Sequence, residues 1–271
     1  MKEIIKSALS SPSLLQEVYG DLAKPGVSQV GKSIGTLLGY ANNKLGALEE
    51  SNEAARLVLN SNLEKLRERM ASVPEENVVQ ANPELAVPVL EKMTYVTNSE
   101  IRRLYIELLA KATDSRFVEM AHPSFVNMIQ SLSPDEGVLL GSFYGIQGSY
   151  PAVQGRLVTS ASGVFHVVED LVANVPGMGK LTYPNLLPIY MSNFEGLGVL
   201  KIVWDYQINS ESAYTPLEKQ VRDAHPLPKS EHNIPTLPKS EHILPRIECK
   251  RGQIVLTKFG HLFSKACNAV A

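Results

Sequence analysis

Apolar residues recur at helical spacing through the first 115 residues, and the segment 27–48 shows the pattern most clearly. A helix there would place Val27, Val30, Ile34, Leu37, Leu38, Ala41, Leu45 and Leu48 on one arc about 100° wide. Gly31, Gly35 and Gly39 recur every four residues along one edge of this arc. Because a glycine in an exposed helix costs about 1 kcal/mol relative to alanine, three in one register indicate a surface that another backbone approaches closely.

This glycine strip (Gly31, Gly35 and Gly39) has two interpretations. It packs inside a helical bundle, or it forms an assembly or membrane surface together with Val27, Ile34 and Leu38. Both place a second backbone against the glycines, so both remain open.

Three further helices are expected before residue 115. Glu49–Ala71 has helical spacing and stops at Pro74, whereas Asn82-Pro83-Glu84 is typical of a helix start. Pro88 is expected to restart that second helix one turn later. Thr97-Asn98-Ser99-Glu100 fits a capping box for the third helix.

The later part of the chain mixes helix and strand patterns. His122-Pro123 and the capping box Ser133-Pro134-Asp135-Glu136 introduce two short helices. Glycine, serine and β-branched residues then become frequent, which favours strands. The predicted elements are a strand within Arg156–Val168, a helix over Asn185–Leu197, strands over Val199–Ile208 and Gly252–Thr257, and a helix over Lys258–Val270.

This order predicts a mainly α protein with an α+β C-terminal part. We expect a helical N-terminal domain over 1–115 and a winged-helix-like domain over 116–271. The candidate recognition helix, 185–197, has no lysine or arginine and carries Glu195. Since phosphate neutralisation drives nucleic-acid affinity, this composition argues against a nucleic-acid partner. A winged-helix shape alone does not indicate DNA binding either.

A proline-rich segment, 225–245, separates the last two strands and contains a duplication. Leu227-Pro-Lys-Ser-Glu-His232 returns as Leu237-Pro-Lys-Ser-Glu-His242. Proline at this density predicts an extended, mobile loop. His232 and His242 would suit a metal site, but a tandem duplication in a linker explains them more simply, so we expect no metal.

Composition narrows the class of protein. The chain has 271 residues, 44% of them hydrophobic, with a formal net charge of −2, which is typical of a globular protein without a global attraction to polyanions. The two cysteines, Cys249 and Cys267, favour a reducing compartment. The N-terminus lacks the apolar core of a signal peptide, and no stretch approaches about 20 apolar residues. We therefore expect a cytoplasmic protein, and a peripheral position at the inner membrane stays open.

We find no catalytic or cofactor-binding motif in a supporting sequence context, so we expect no enzyme and no cofactor. Gly26-Val-Ser-Gln-Val-Gly-Lys32-Ser33 matches a phosphate-loop string, but the charged, proline-ended segment before it is a poor strand. Lys32 also falls on the polar side of the predicted helix. His122 is expected to cap the helix that follows it, and Trp204 to pack on the core from a strand.

Three stretches together resemble a known family. They are Leu22–Gly39, Val73–Asn77 through Pro88–Met93, and His122–Phe125 leading to Leu132–Glu136. In this order and spacing they resemble the abortive-infection alpha family of bacterial proteins. The resemblance implies a role in anti-phage defence and brings no catalytic residues.

The expected function is therefore a non-enzymatic anti-phage protein that acts through self-association or a protein partner. The alternative is a winged-helix regulator or adaptor that binds nucleic acid or a protein.

Overall fold

The computed structural model describes residues 53–145, 148–159, 163–204, 206–227 and 245–268. Contacts divide them into two units: one contains 53–144 and 262–268, and the other contains the described residues of 145–261. The described residues form eight α-helices and one four-stranded sheet. Helices in the N-terminal part and an α+β C-terminal part are therefore confirmed.

The elements are numbered in chain order. The helices are α1 (Glu53–Met70), α2 (Pro83–Met93), α3 (Ser99–Ala112), α4 (Ser124–Gln130), α5 (Pro134–Ser142), α6 (Leu187–Gly196), α7 (Glu211–Ala224) and α8 (Lys258–Cys267). The strands are β1 (Ser149–Val158), β2 (Phe165–Ala173), β3 (Leu200–Val203) and β4 (Arg246–Leu256).

Helix α3 lies at the centre of the first unit, because α1, α2, α4 and α5 all pack against it. The helical spacing of this segment predicts one inward face, of which Ile101 is half-buried and the rest are buried: Leu104, Tyr105, Leu108, Leu109 and Ala112. The predicted capping box at its start is wrong. Asn98 is the cap, and its side-chain oxygen accepts hydrogen bonds from the backbone N–H groups of Glu100 and Ile101. The backbone of Asn98 is extended, so the helix starts one residue later than a Thr97 cap would require.

The prolines of α2 and the capping box of α5 were also predicted from the sequence. Asn82 caps α2 and Pro83 is its first residue, as expected, but the helix continues through Pro88 without restarting. Pro88 has no N–H to donate to the carbonyl of Glu84, and Glu84 is an exposed residue in the first turn of the helix. The capping box of Ser133 and Glu136 is confirmed.

The second unit is built on an antiparallel sheet with strand order β2-β1-β4-β3. Strands β1 and β4 pair over ten residues, from Ser149 opposite Val255 to Val158 opposite Arg246. Two register shifts between β1 and β2 bend the β2 edge. Strand residues were expected within Arg156–Val168, and this range contains the end of β1 and the start of β2, because the chain reverses between Val158 and Phe165.

Three further differences concern the end of the second unit. Strand β3 covers only Leu200–Val203 of the expected ten residues, and β4 begins six residues before the predicted Gly252. Helix α7 was not predicted. Its buried residues Tyr214, Leu217 and Val221 follow helical spacing, but they are separated by polar residues and by Pro216.

Candidate functional site

The second unit contains a groove of about 650 Å³ between helix α6 and one face of the sheet. Its volume lies within the range of about 300–1,000 Å³ found for ligand sites. Helix α6 contributes its less buried side, and β1, β2 and the end of β3 contribute the facing wall. The lining residues are Gln154, Asp170, Leu171, Pro188, Ile189, Ser192, Asn193, Glu195, Gly196, Ile202 and Trp204.

Helix α6 is held firmly beside the groove. Its other side is buried through Leu187, Tyr190, Met191 and Phe194, which anchor it to the unit. Gly198 has a positive φ of 72° and lets the chain turn directly from α6 into β3. Glu195 closes this turn, because its Oε1 accepts a hydrogen bond from the backbone N–H of Ile202 at 2.9 Å.

Trp204 owes its position to Gly252 on the neighbouring strand. A Cβ atom at Gly252 would lie 2.7 Å from Cε3 of the indole and 2.7 Å from the carbonyl oxygen of Val203. Only glycine leaves room for the ring to lie against this backbone. Trp204 follows β3 instead of lying within it, and it lines the groove, so its predicted role as a core strand residue is only partly right.

The groove lining carries two carboxylates, Asp170 on β2 and Glu195 on α6, and no lysine or arginine. Arg156 lies next to it along β1, and its Nε donates to Oε1 of Gln154 at 2.9 Å. The same guanidinium stacks on Phe165, 4.1 Å from the ring centroid. The arginine is therefore oriented along the sheet surface by two contacts.

Helix α7 covers the opposite face of the sheet. Tyr214, Leu217 and Val221 form a buried cluster with Val153 and Val172, which point away from Gln154 because strand residues alternate. The hydroxyl of Tyr214 donates to the carbonyl of Gly252 and accepts from the N–H of Ile208, both at 2.8 Å. The strand that positions Trp204 is thus braced from behind.

Arg251 fastens α7 to β4. Its Nε lies 2.6 Å from Glu218, and its Nη1 lies 2.6 Å from Glu211. The guanidinium also lies 5.0 Å from the ring centroid of Tyr214. The hydrogen bonds that Arg251 donates to these carboxylates raise the pKa of Arg251 and lower that of Glu211.

The two cysteines have the properties of structural thiols. Burial raises the pKa of Cys267, which is fully enclosed in the first unit, and burial also raises that of Cys249 on β4. A thiol with a raised pKa is a poor nucleophile at neutral pH.

Lys111 on α3 is buried in the first unit. Its Nζ donates to the backbone carbonyls of Lys265 and Asn268 at the end of α8, where the helix dipole favours a cation. Burial lowers its pKa, against the opposing effect of Glu107. These contacts assign Lys111 to helix capping.

His122 behaves as the sequence predicts. Its Nδ1 accepts a hydrogen bond from the backbone N–H of Ser124 at 3.1 Å, which satisfies a donor at the start of α4. The ring also contacts Phe125, with 5.7 Å between ring centroids.

The predicted assembly or membrane surface, Gly31, Gly35, Gly39, Val27, Ile34 and Leu38, lies outside the described residues. The Gly26–Ser33 string and the histidines of the duplicated segment lie outside them too. Within the described ranges, no three His, Cys, Asp or Glu side chains cluster closely enough to hold a metal ion. None of the helices in that part of the chain has both the length and the apolar character needed to cross a membrane.

Sequence reasoning missed the groove, although it noted two of its residues, Glu195 and Trp204. The sequence shows Trp204 as its single tryptophan, but the glycine that this ring faces lies almost fifty residues later and is brought to it only by strand pairing. Asp170 and Gln154 gave none, since they join the groove only through strand pairing.

Comparison with known proteins gives a family. The model of the family described as abortive infection alpha matches residues 58–267. Searches of curated proteins and of solved structures return no match. The family match covers residues of both described units and includes the second and third motifs noted in the sequence, whereas Leu22–Gly39 lies outside it; this chain belongs to the abortive infection alpha family.

Proposed function

We propose that this protein acts in abortive infection as a non-enzymatic binding protein that self-associates and engages a protein partner. The observation that carries the proposal is the groove beside α6, which is a concave surface with an aromatic wall and polar groups along its length. Family membership supports the role in defence.

The construction of the groove supports binding. Ile189, with 62% of its surface exposed, offers apolar area at the rim, and Trp204 offers an aromatic surface inside. Tryptophan is among the side chains that contribute most of the binding energy at protein interfaces. The walls are rigid because α6 is anchored by its buried side and Trp204 by Gly252. A preorganised surface loses little entropy on binding.

Self-association is assigned to the glycine strip, with Val27, Ile34 and Leu38 beside it. The support is the four-residue glycine repeat next to an apolar arc, a pattern that allows two helices to approach closely. Lys24, Lys32 and Lys44 are the charged residues of this region, and no acidic residue lies within 27–48. That charge suits a peripheral contact with the anionic inner membrane.

The experiment compares Gly35→Leu with Thr36→Leu, which adds similar bulk on the polar side of the predicted helix. We expect Gly35→Leu to melt near the wild-type temperature, to sediment as a smaller species and to lose protection in plaque counts, while Thr36→Leu keeps all three properties. An unfolded Gly35→Leu protein would assign the strip to the core instead. Unchanged sedimentation and protection in Gly35→Leu would also contradict the proposal.

The second candidate function is a winged-helix adaptor. It is favoured by the way α6 leads directly into β3, which pairs with β4 as the strands of a wing do. Recognition helices that enter DNA carry basic side chains, and α6 has none. The adaptor would therefore bind protein. Saturable, salt-sensitive binding of duplex DNA would favour a nucleic-acid regulator over both the self-associating defence protein and the protein-binding adaptor.

A further inference from the structure

The charge of the groove points to the chemistry of its occupant. Asp170 and Glu195 both line it, and the lining contains no positive side chain. In the described part of the chain, neither carboxylate takes part in an ion pair. Glu195 uses one oxygen for the N–H of Ile202, which fixes the carboxylate without neutralising it. The lining itself therefore complements a cation, and Arg156 and Lys250 lie beside it, the first hydrogen-bonded to Gln154 and the second opposite Gln154 on β4.

The aromatic wall selects among cations. A cation attracted to an indole face gains energy when it lies within about 6 Å of the ring centroid. A guanidinium is planar and weakly hydrated, so it stacks on an indole and presents its edge N–H groups to carboxylates at the same time. A lysine ammonium is a compact, strongly hydrated charge, so it gains the electrostatic attraction to the carboxylates but does not stack on the indole. Trp204 with two carboxylates is thus better matched to arginine than to lysine.

The remaining lining suits a peptide backbone. Ser192 supplies a hydroxyl and Gln154 a carboxamide N–H group, since its oxygen already accepts from Arg156, beside the apolar surfaces of Pro188 and Ile189. Such groups pair with the N–H and C=O groups of an extended chain. A cavity of about 650 Å³ also exceeds the needs of a single side chain.

We propose that this groove binds an arginine side chain from an extended basic segment of a protein partner. The guanidinium stacks on Trp204 and its N–H groups face Asp170 and Glu195. This inference rests on the proposed function, because it names the chemistry of the partner that the groove engages.

Trp204 provides a direct readout, since it is the single tryptophan of the chain. The test titrates the full-length protein with a tetra-arginine amide peptide and follows the tryptophan fluorescence. We expect a saturable change that weakens as salt is added, and none with tetra-glutamate. Tetra-lysine and spermine should bind at least about fivefold more weakly than tetra-arginine, because neither carries a guanidinium.

The variant is Asp170→Asn with Glu195→Gln, which removes both charges and keeps the shapes. The glutamine oxygen still accepts the bond from Ile202, so the α6–β3 turn is retained. We expect affinity for tetra-arginine to fall about tenfold or more. Glu248→Gln is the control, because Glu248 is paired with Arg246 on the same sheet and does not line the groove.

Three results would overturn the inference: no saturable fluorescence change, equal affinity for tetra-arginine and spermine, or unchanged affinity in the double variant with a wild-type melting temperature. If the double variant misfolds, the affinity of Trp204→Phe and Trp204→Leu for tetra-arginine is measured by calorimetry instead. Equal affinity in these two variants would overturn the stacking of the guanidinium on an aromatic ring at position 204. Plaque protection by the wild type distinguishes failure of this inference from failure of the proposed function. Protection without tetra-arginine binding rejects this inference alone, whereas tetra-arginine binding without protection rejects the proposed function alone.

Discussion

Gly260 sits where α8 begins, and its missing side chain is a requirement of the fold. A Cβ atom there would lie 1.9 Å from the carbonyl oxygen of Val199, a backbone atom that cannot move aside as a flexible side chain would. The same carbonyl accepts the backbone N–H of Thr257 at 3.0 Å, so it is also held by the adjoining chain.

We expect Gly260→Ala to lower the free energy of unfolding by about 3 kcal/mol or more, at the upper end of overpacking effects. Gly179→Ala is the matched control, because a Cβ at Gly179 meets no atom within 4 Å. Urea unfolding followed by circular dichroism measures both. Equal stability of the two variants would show that α8 does not approach Val199 as closely as described.

Single residues also show the limits of sequence reasoning. The roles of His122 and Ser133 could be predicted because a helix cap depends on neighbours within three residues. Thr97 and Asn98 are both good caps, and the pattern placed the cap one residue too early. Trp204 could not be placed, because its position depends on Gly252, almost fifty residues later in the chain.

At the scale of elements, helices of the first unit were predicted well and those of the second unit less well. The faces of α3 and α8 show a continuous helical period, which survives in the sequence alone. Helix α7 carries only three buried residues among polar ones. The charged positions Arg246, Glu248 and Lys250 likewise concealed the first half of β4. The groove needs α6, β2 and β3 together, so no local pattern could reveal it.

Arg251 determines how firmly α7 is held against the sheet. Its side chain is 23% exposed and binds two carboxylates of α7, whereas Arg246 on the same strand is 52% exposed and binds one carboxylate of the described residues, Glu248. We expect Arg251→Met to cost about 1–3 kcal/mol of unfolding free energy and Arg246→Met less than about 1 kcal/mol. Thermal melting in low and high salt checks this. Equal losses in the two variants would mean that the α7 contacts contribute no more than a surface ion pair.

At the scale of the molecule, the family match and the groove give complementary information. The match assigns the chain to proteins of abortive infection. The groove supplies a surface with an indole, two carboxylates and a rigid helix beside them. Self-association through the glycine strip would present several copies of this groove at once, and multivalent presentation strengthens weak binding without new contacts. In the proposed function, recognition belongs to the second unit and assembly to the N-terminal segment.

Plaque counts on bacteria that express the groove variants test this account most directly. The strains carry wild type, Asp170→Asn with Glu195→Gln, or the control Glu248→Gln, at matched protein levels and melting temperatures. The account predicts that wild type and control reduce plaque counts equally and that the double variant loses at least about tenfold of that protection. Full protection by a folded double variant would contradict the claim that this protein acts by binding a partner in the groove.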